Sequence, residues 1–304
     1  MKFLPNTVVY FHEVHDQKWL TNIIELLLRN YNIIGLQELE EYYYGNKELK
    51  NSCHITFDDG DITFFNNVLP IIKRYKIPVS TYVSPLMANE GKNFWFQEIK
   101  NYDRNKIIEI IKKVTKLEVE NTPLLDVKKL LKKLKIEVIL EIINVYQRET
   151  KTLPKDSMNM NSKQLIDVKS TGLVDIGAHT LTHPLLVNET DEIALREITG
   201  SIDSLSNILG CDVRYFVYPN GNYSEREIEI LKKKGIKLAF TTEREKISHS
   251  NNPLSIPRSG SPITSDLNNS KAYIFTKCLV QLLAGERRYY KYANTWNSVV
   301  SKLT

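Results

Sequence analysis

A parallel β/α architecture, a barrel or a doubly wound sheet, is what this 304-residue sequence predicts. Short apolar runs alternate with segments of helical period along most of the chain, and strands separated by helices pair in parallel. Several of those runs stop at residues with chemical capacity: Asp58-Asp59, His179 with His183, and the turn Pro219-Asn220-Gly221. In a parallel barrel all strands end on one face, where such residues meet.

The elements follow in order. TVVYF (7–11) reads as a strand and QKWLTNIIELLLRN (17–30) as a helix. CHITF (53–57) is a strand and DITFFNNVLPIIKRY a helix after it. PVSTYV (78–83), GLVDIGA (172–178), VRYFVY (213–218) and IKLAFTT (236–242) are further strands, with helical patterns at 189–209 and 223–234. Residues 97–161 break the rhythm: they are helical and highly charged and read as an insertion. After about residue 268 the chain reads as a helical tail, 268–304.

Composition narrows the function. A hydrophobic fraction of 42% is ordinary for a globular protein. A formal charge of +5 is mild, and no run pairs basic with aromatic residues in an RNA-binding pattern, so no nucleic-acid partner is expected. Cys53, Cys211 and Cys278 are scattered without a CxxC pair, which excludes a readable zinc ribbon or disulfide framework and fits a reducing compartment. The N-terminus MKFLPNTVVYFHEVHD is a poor signal peptide, broken by Pro5 and Asn6. No window reaches the roughly 18 apolar residues of a membrane span. A cytoplasmic location is expected, with peripheral contact at the inner membrane face as its variant. The basic helix DVKKLLKKLKIEVILEII (126–143) reads as a solvated face, or as a contact for anionic lipid or a phosphate-bearing glycan carrier.

The stretch CHITFDDGDIT poses the chemical question. Adjacent carboxylates repel each other and lose solvation when buried; a metal ion is the simplest compensation. HTLTHP supplies two imidazoles four residues apart, on one side of a helical turn if it is helical. One carboxylate and two imidazoles suit zinc or another divalent metal, with positions left for water and substrate. The Pro219-Asn220-Gly221 turn can present a backbone N–H. Singly, each piece has a plain reading: an HxxxH pair arises by chance, and an aspartate commonly caps a helix.

Together the motifs resemble those of the polysaccharide deacetylases, the NodB-like carbohydrate esterases of family 4. ITFDDG is similar to their first motif, HTLTHP to their second, and FVYPNG to the FxYPxG of a branch found near exopolysaccharide and lipopolysaccharide genes. NFWFQEI (93–99) and NPLSIPR resemble further stretches of that branch, and the likeness spans roughly residues 7–262. The resemblance implies a distorted parallel (β/α) barrel over 1–267, with the insertion at about 97–161. It implies Asp58 as catalytic base and Asp59, His179 and His183 as metal ligands. The Asn220 amide would be an oxyanion donor. It further implies a divalent metal, zinc by default with cobalt, nickel, manganese or iron as substitutes, and an N-acetylated glycan or lipid-linked sugar as substrate.

The sequence departs from the better-known members. Val217 stands where they carry an arginine two residues before the motif-three proline, and their late Leu-x-His acid is missing; His249 is a poor match. In the branch resembled here the acid comes from an N-terminal YHxV-like motif. YFHEV matches it, with Phe11 in the tyrosine position and His12 as the acid. Arg258 of IPR then replaces the missing arginine and orients Asp58. The plainer alternatives are a structural strand-end His12 and an Arg258 that forms an ordinary ion pair. Tyr218 packs under the site or lines the sugar pocket, and Trp95 stacks on a sugar or packs in a core. His15 and His54 are expected to be structural.

Two other function classes compete. Asp59-Gly-Asp61-Ile-Thr63 fits DxDxT of the haloacid-dehalogenase-like phosphatases, with Asp59 as nucleophile and Asp61 as acid. That reading needs a downstream acidic magnesium motif, which the sequence lacks, and leaves HTLTHP and YPNG unexplained. A carbohydrate-binding protein that kept the fold without catalysis is the third class.

Overall fold

The computed structural model describes residues 4–118, 126–243 and 245–260; the expected tail and Cys278 lie outside them. Among the described residues the strands are β1 (Thr7–Phe11), β2 (Asn32–Ile33), β3 (Ser52–Phe57), β4 (Val79–Val83), β5 (Val174–Ala178), β6 (Tyr215–Val217), β7 (Leu238–Phe240) and β8 (Ser259–Gly260). Their order is β7-β6-β5-β4-β3-β1-β8, with β2 beside β3, and the pairings are parallel. Ile256 bridges Phe240 of β7, while Ser259 pairs with Val9 of β1. Residues 256–260 therefore join the two sheet edges, and the sheet curls into a distorted barrel rather than a doubly wound sheet.

Period-two alternation divides each strand between two environments. Cys53, Ile55 and Phe57 of β3, with Val9 and Phe11 of β1, pack against the helices outside, including Gln17–Asn30. Burying each large apolar side chain stabilises the fold by about 1.5–3 kcal/mol. The alternate positions face inward and are partly polar: His54 lies between the Ile34 carbonyl (2.8 Å) and the Ser80 hydroxyl (2.8 Å). Burial, with the Arg258 charge nearby, brings its pKa down to about 4, so it is a neutral structural residue. Tyr218 is buried on the outer side of the sheet with Phe216 and Tyr223, its hydroxyl donating to the Leu254 carbonyl at 2.8 Å, so it packs in the outer layer rather than lining a sugar pocket.

Several expected boundaries shift. The helix expected over 61–75 is a wide π-turn, Phe64–Val68, followed by the helix Leu69–Tyr75. Pro70 has no N–H to continue the ordinary ladder through that junction. The helix Leu36–Tyr44 and the two-residue strands β2 and β8 were not expected from the sequence.

The insertion builds its own apolar cluster from Trp95, Ile107, Ile110, Leu131, Ile139 and Ile142, among others. Trp95 is buried there rather than presented to a sugar. The single helix expected over 126–143 is two: Val127–Leu131 and Ile136–Thr150. The Lys132 carbonyl accepts from Asn188 Nδ2 (2.8 Å) and the Ile136 amide donates to Glu189 Oε1 (2.7 Å). Groups that a continuous helix would pair internally are thus held by the segment after β5. Lys128, Lys129 and Lys133 are exposed as expected, whereas Lys132 is half-buried. No helix of the described residues is long and apolar enough to cross a membrane.

Candidate metal centre and its surroundings

Because the strands run in parallel, the residues that follow them share one end of the barrel. Asp58 and Asp59 follow β3, His12 follows β1, His179 and His183 follow β5, and Asn220 follows β6. Arg258 precedes β8 and turns its side chain inward.

The two aspartates diverge at once. Asp58 is buried in a two-point ion pair: Arg258 Nη1 lies 2.8 Å from Oδ1 and Nη2 2.8 Å from Oδ2. Arg258 also donates from Nε to the Thr241 carbonyl (2.9 Å) and from Nη1 to Thr56 Oγ1 (2.9 Å), over the Tyr10 ring. Burial alone would raise the Asp58 pKa, but the Arg258 charge and hydrogen bonds reverse this and hold it below the ordinary value.

Asp59 turns the other way. Its φ of 70° and the 66° of Gly60 put two consecutive residues in the left-handed region. A Cβ on Gly60 would come within 2.7 Å of the Val83 side chain, so the turn requires glycine. Asp59 Oδ1 then lies 3.5 Å from His179 Nε2 and 3.5 Å from His183 Nε2. Burial would raise its pKa, yet the close imidazole of His179 and the charges of His12 and His183 hold it well below the carboxylate range.

His179 Nδ1 faces the Val217 carbonyl at 2.7 Å. A nitrogen facing a carbonyl carries the proton, which leaves Nε2 as a lone-pair donor toward Asp59. Burial, and then the His179 charge, bring the His183 pKa down to about 4. Asp59 Oδ1 is buried without a hydrogen-bond partner among the described residues. An ionised oxygen facing two imidazole nitrogens needs a positive charge between them. All three ligand atoms lie within 4.8 Å of one another, and one oxygen with two imidazoles is the donor set of a divalent metal.

HTLTHP is not a helical turn. It is a bend, with Thr180 and His183 at φ of 63° and 60°. Glu197 of the helix Asp191–Leu209 holds it open: Oε2 accepts from the Leu181 and Thr182 amides (3.0 and 2.9 Å) and Oε1 from Thr182 Oγ1 (2.8 Å). The role of Glu197 was not read from the sequence, though a signal existed. An acid in the buried stripe of Ala194, Ile198, Ser201, Ile202 and Leu205 needs a partner.

Other residues frame the centre. Phe94 and Phe96 approach the His183 ring edge-on at 5.4 and 5.2 Å. His12 is exposed, its ring 5.6 Å from that of Tyr10. It stands one strand from Asp58, whose amide donates to the Phe11 carbonyl at 2.9 Å. Asn220 lies in a 3-10 turn, Pro219–Gly221, with φ of 57°; its side-chain Oδ1 accepts from Lys132 Nζ at 2.6 Å.

The remaining candidates are elsewhere. His249 stacks on Tyr42 and pairs with Glu48 at 3.7 Å. His15 is exposed and pairs with Glu13. Asp61 Oδ1 accepts from the Thr63 amide (2.8 Å) and hydroxyl (2.6 Å), a local cap that takes it out of the acid role the phosphatase reading needs.

Comparison with known proteins agrees with this geometry. The polysaccharide deacetylase family model matches residues 125–239, a span that includes both histidines. A poly-β-1,6-N-acetyl-D-glucosamine N-deacetylase of Staphylococcus epidermidis is 22% identical over 255 residues, covering 81% of this chain and 67% of the relative. The protein of the same name from Staphylococcus aureus strain NCTC 8325 is 20% identical, covering 84% and 73%. The structure of IcaB from Ammonifex degensii superposes with a TM-score of 0.58 at 19% identity, over 84% of this chain and 91% of that one. The BpsB deacetylase domain from Bordetella bronchiseptica gives 0.57 at 15% identity, over 84% and 96%. The chain thus shares its fold with these solved deacetylases, and its residues 125–239 match the polysaccharide deacetylase family model.

Proposed function

We propose that the protein hydrolyses the acetamide of an N-acetylated sugar in a polysaccharide or glycolipid precursor and releases acetate. One observation carries the reading above the others: neighbouring buried aspartates with opposite partners, Asp58 on Arg258 and Asp59 on two imidazoles. The names of the curated relatives support N-acetylglucosamine as the sugar.

Asp59, His179 and His183 would hold a divalent metal, zinc by default. When bound, such an ion acidifies water and polarises a carbonyl. Asp58, kept ionised by Arg258, takes the proton of the attacking water as general base. The Asn220 amide donates to the oxygen on which negative charge develops. His12, protonated, hands its proton to the departing nitrogen, so that a neutral amine leaves rather than an amide anion. Phe94 and Phe96 exclude water beside His183. The catalytic unit on this reading is 1–267, with the helical insertion inside it.

The test is acetate release from N-acetylglucosamine oligosaccharides by purified protein. Release lost to a chelator and restored by zinc is expected. Phosphate release from phosphomonoesters would favour the phosphatase class. Sugar binding without acetate release by the zinc-loaded protein would favour the non-catalytic class.

A further inference from the structure

The insertion delivers one cation to the metal end of the barrel. Lys132 sits where the expected long helix breaks. Its carbonyl is fixed by Asn188, and its Nζ lies 2.6 Å from Asn220 Oδ1. Its neighbours Lys128, Lys129 and Lys133 are exposed, and Lys129 pairs with Asp126 at 3.7 Å. Lys132 is half-buried and has no ion-pair partner among the described residues. Its pKa is lowered by burial, opposed first by the Asp126 charge and less by that of Asp59, and its bond to Asn220, which follows β6, places the ammonium at the metal end of the barrel.

An ammonium on a half-buried side chain gives up part of its hydration, and Lys132 does so without an ion pair among the described residues. Purely structural lysines avoid the cost by pairing, or by extending the head group to water. An ammonium has three donors. Asn220 takes one of them, leaving the others to a ligand at the rim. A neutral acetylated sugar offers only hydroxyls and needs no cation. A free amino sugar, itself protonated, would be repelled. The group that such a lysine suits is an anionic oxygen.

Resting on the deacetylase reading, we propose that Lys132 is a specificity-determining residue: it binds a phosphate or carboxylate carried by the substrate close to the acetamide. The shared chemistry is an anionic oxygen on the sugar, and the experiment distinguishes its two sources. Acetate release is measured with neutral N-acetylglucosamine, N-acetylglucosamine 1-phosphate and N-acetylmuramic acid, for the unmodified protein, Lys132→Gln and Lys132→Arg.

The unmodified protein should prefer an anionic sugar. Preference for the 1-phosphate identifies a phosphate, and preference for the carboxylated sugar an acid. Lys132→Gln should lose about 10- to 100-fold in kcat/KM on the preferred anion, the worth of a charge-assisted hydrogen bond. Its loss on the neutral sugar should be much smaller, and Lys132→Arg should recover part of the preference. No anionic preference in the unmodified protein, or equal losses on both substrates, would overturn the proposal and leave Lys132 as a strut for Asn220. If no sugar releases acetate, the deacetylase reading fails instead. Calorimetric binding of N-acetylglucosamine 1-phosphate to zinc-loaded protein, weakened or not by Lys132→Gln, then decides the subsite.

Discussion

Asp58 and Asp59 occupy consecutive positions at one strand end, yet one belongs to the barrel interior and the other to the face above it. Asp58 is locked to a fully buried arginine through both oxygens. Asp59 keeps an oxygen without a hydrogen bond among the described residues and points it at two imidazoles. The difference shows how a backbone solves the problem of adjacent carboxylates. A reversal of φ at Asp59 sends the second side chain away from the first, and each finds a separate source of positive charge.

The largest stability effect should come from breaking the interior half. Arg258→Met leaves the Asp58 carboxylate buried without a partner, which costs about 3–5 kcal/mol. The metal ligands are not touched. Denaturant unfolding should show the loss, and Arg258→Lys should recover only part of it, because an ammonium cannot make both contacts. An unchanged midpoint for Arg258→Met would mean that the ion pair contributes nothing net.

The exposed rim gives the next effect. His12→Ala should cost about 10²–10⁴-fold in turnover on an N-acetyl sugar, with metal content unchanged. An aryl acetate, whose leaving group departs without a proton, should lose much less. Equal losses on both substrates would make His12 structural, and a normal amide rate would remove it from the mechanism.

The support of the metal half is worth less. Glu197→Gln keeps one acceptor for the loop amides and loses the carboxylate charge. Groups that orient ligands typically contribute about 10–100-fold in metal affinity, and competition with a chromophoric chelator should show a loss in that range. Unaltered affinity would mean that the bend carrying His179 and His183 holds itself.

These regions differed in how openly the sequence displayed them. The parallel β/α architecture was legible because buried parallel strands are continuous apolar runs, and the chemistry-bearing residues sit where those runs stop; that it is a barrel followed only from the family resemblance. β2 and β8 were missed because two-residue strands carry no periodicity. HTLTHP misled because HxxxH spacing imitates a helix, whereas left-handed Thr180 and His183 make a bend. Within the insertion, residues 126–143 were read as one basic helix. The break at Lys132 depends on Asn188 and Glu189, more than fifty residues away. Asp61 fits a phosphatase motif in sequence; the missing magnesium motif already weighed against that reading, and the bonds of Asp61 to Thr63 add a structural reason that the sequence could not show.

The most direct test is metal content in two single variants. Asp59→Asn and Asp58→Asn are purified with zinc, checked for native circular dichroism, and measured by elemental analysis. Asp59→Asn should lose both metal and activity. Asp58→Asn should retain the metal of the unmodified protein while losing most of its turnover. Equal metal retention in the two variants, or loss from Asp58→Asn alone, would contradict the assignment of the neighbouring aspartates to separate roles.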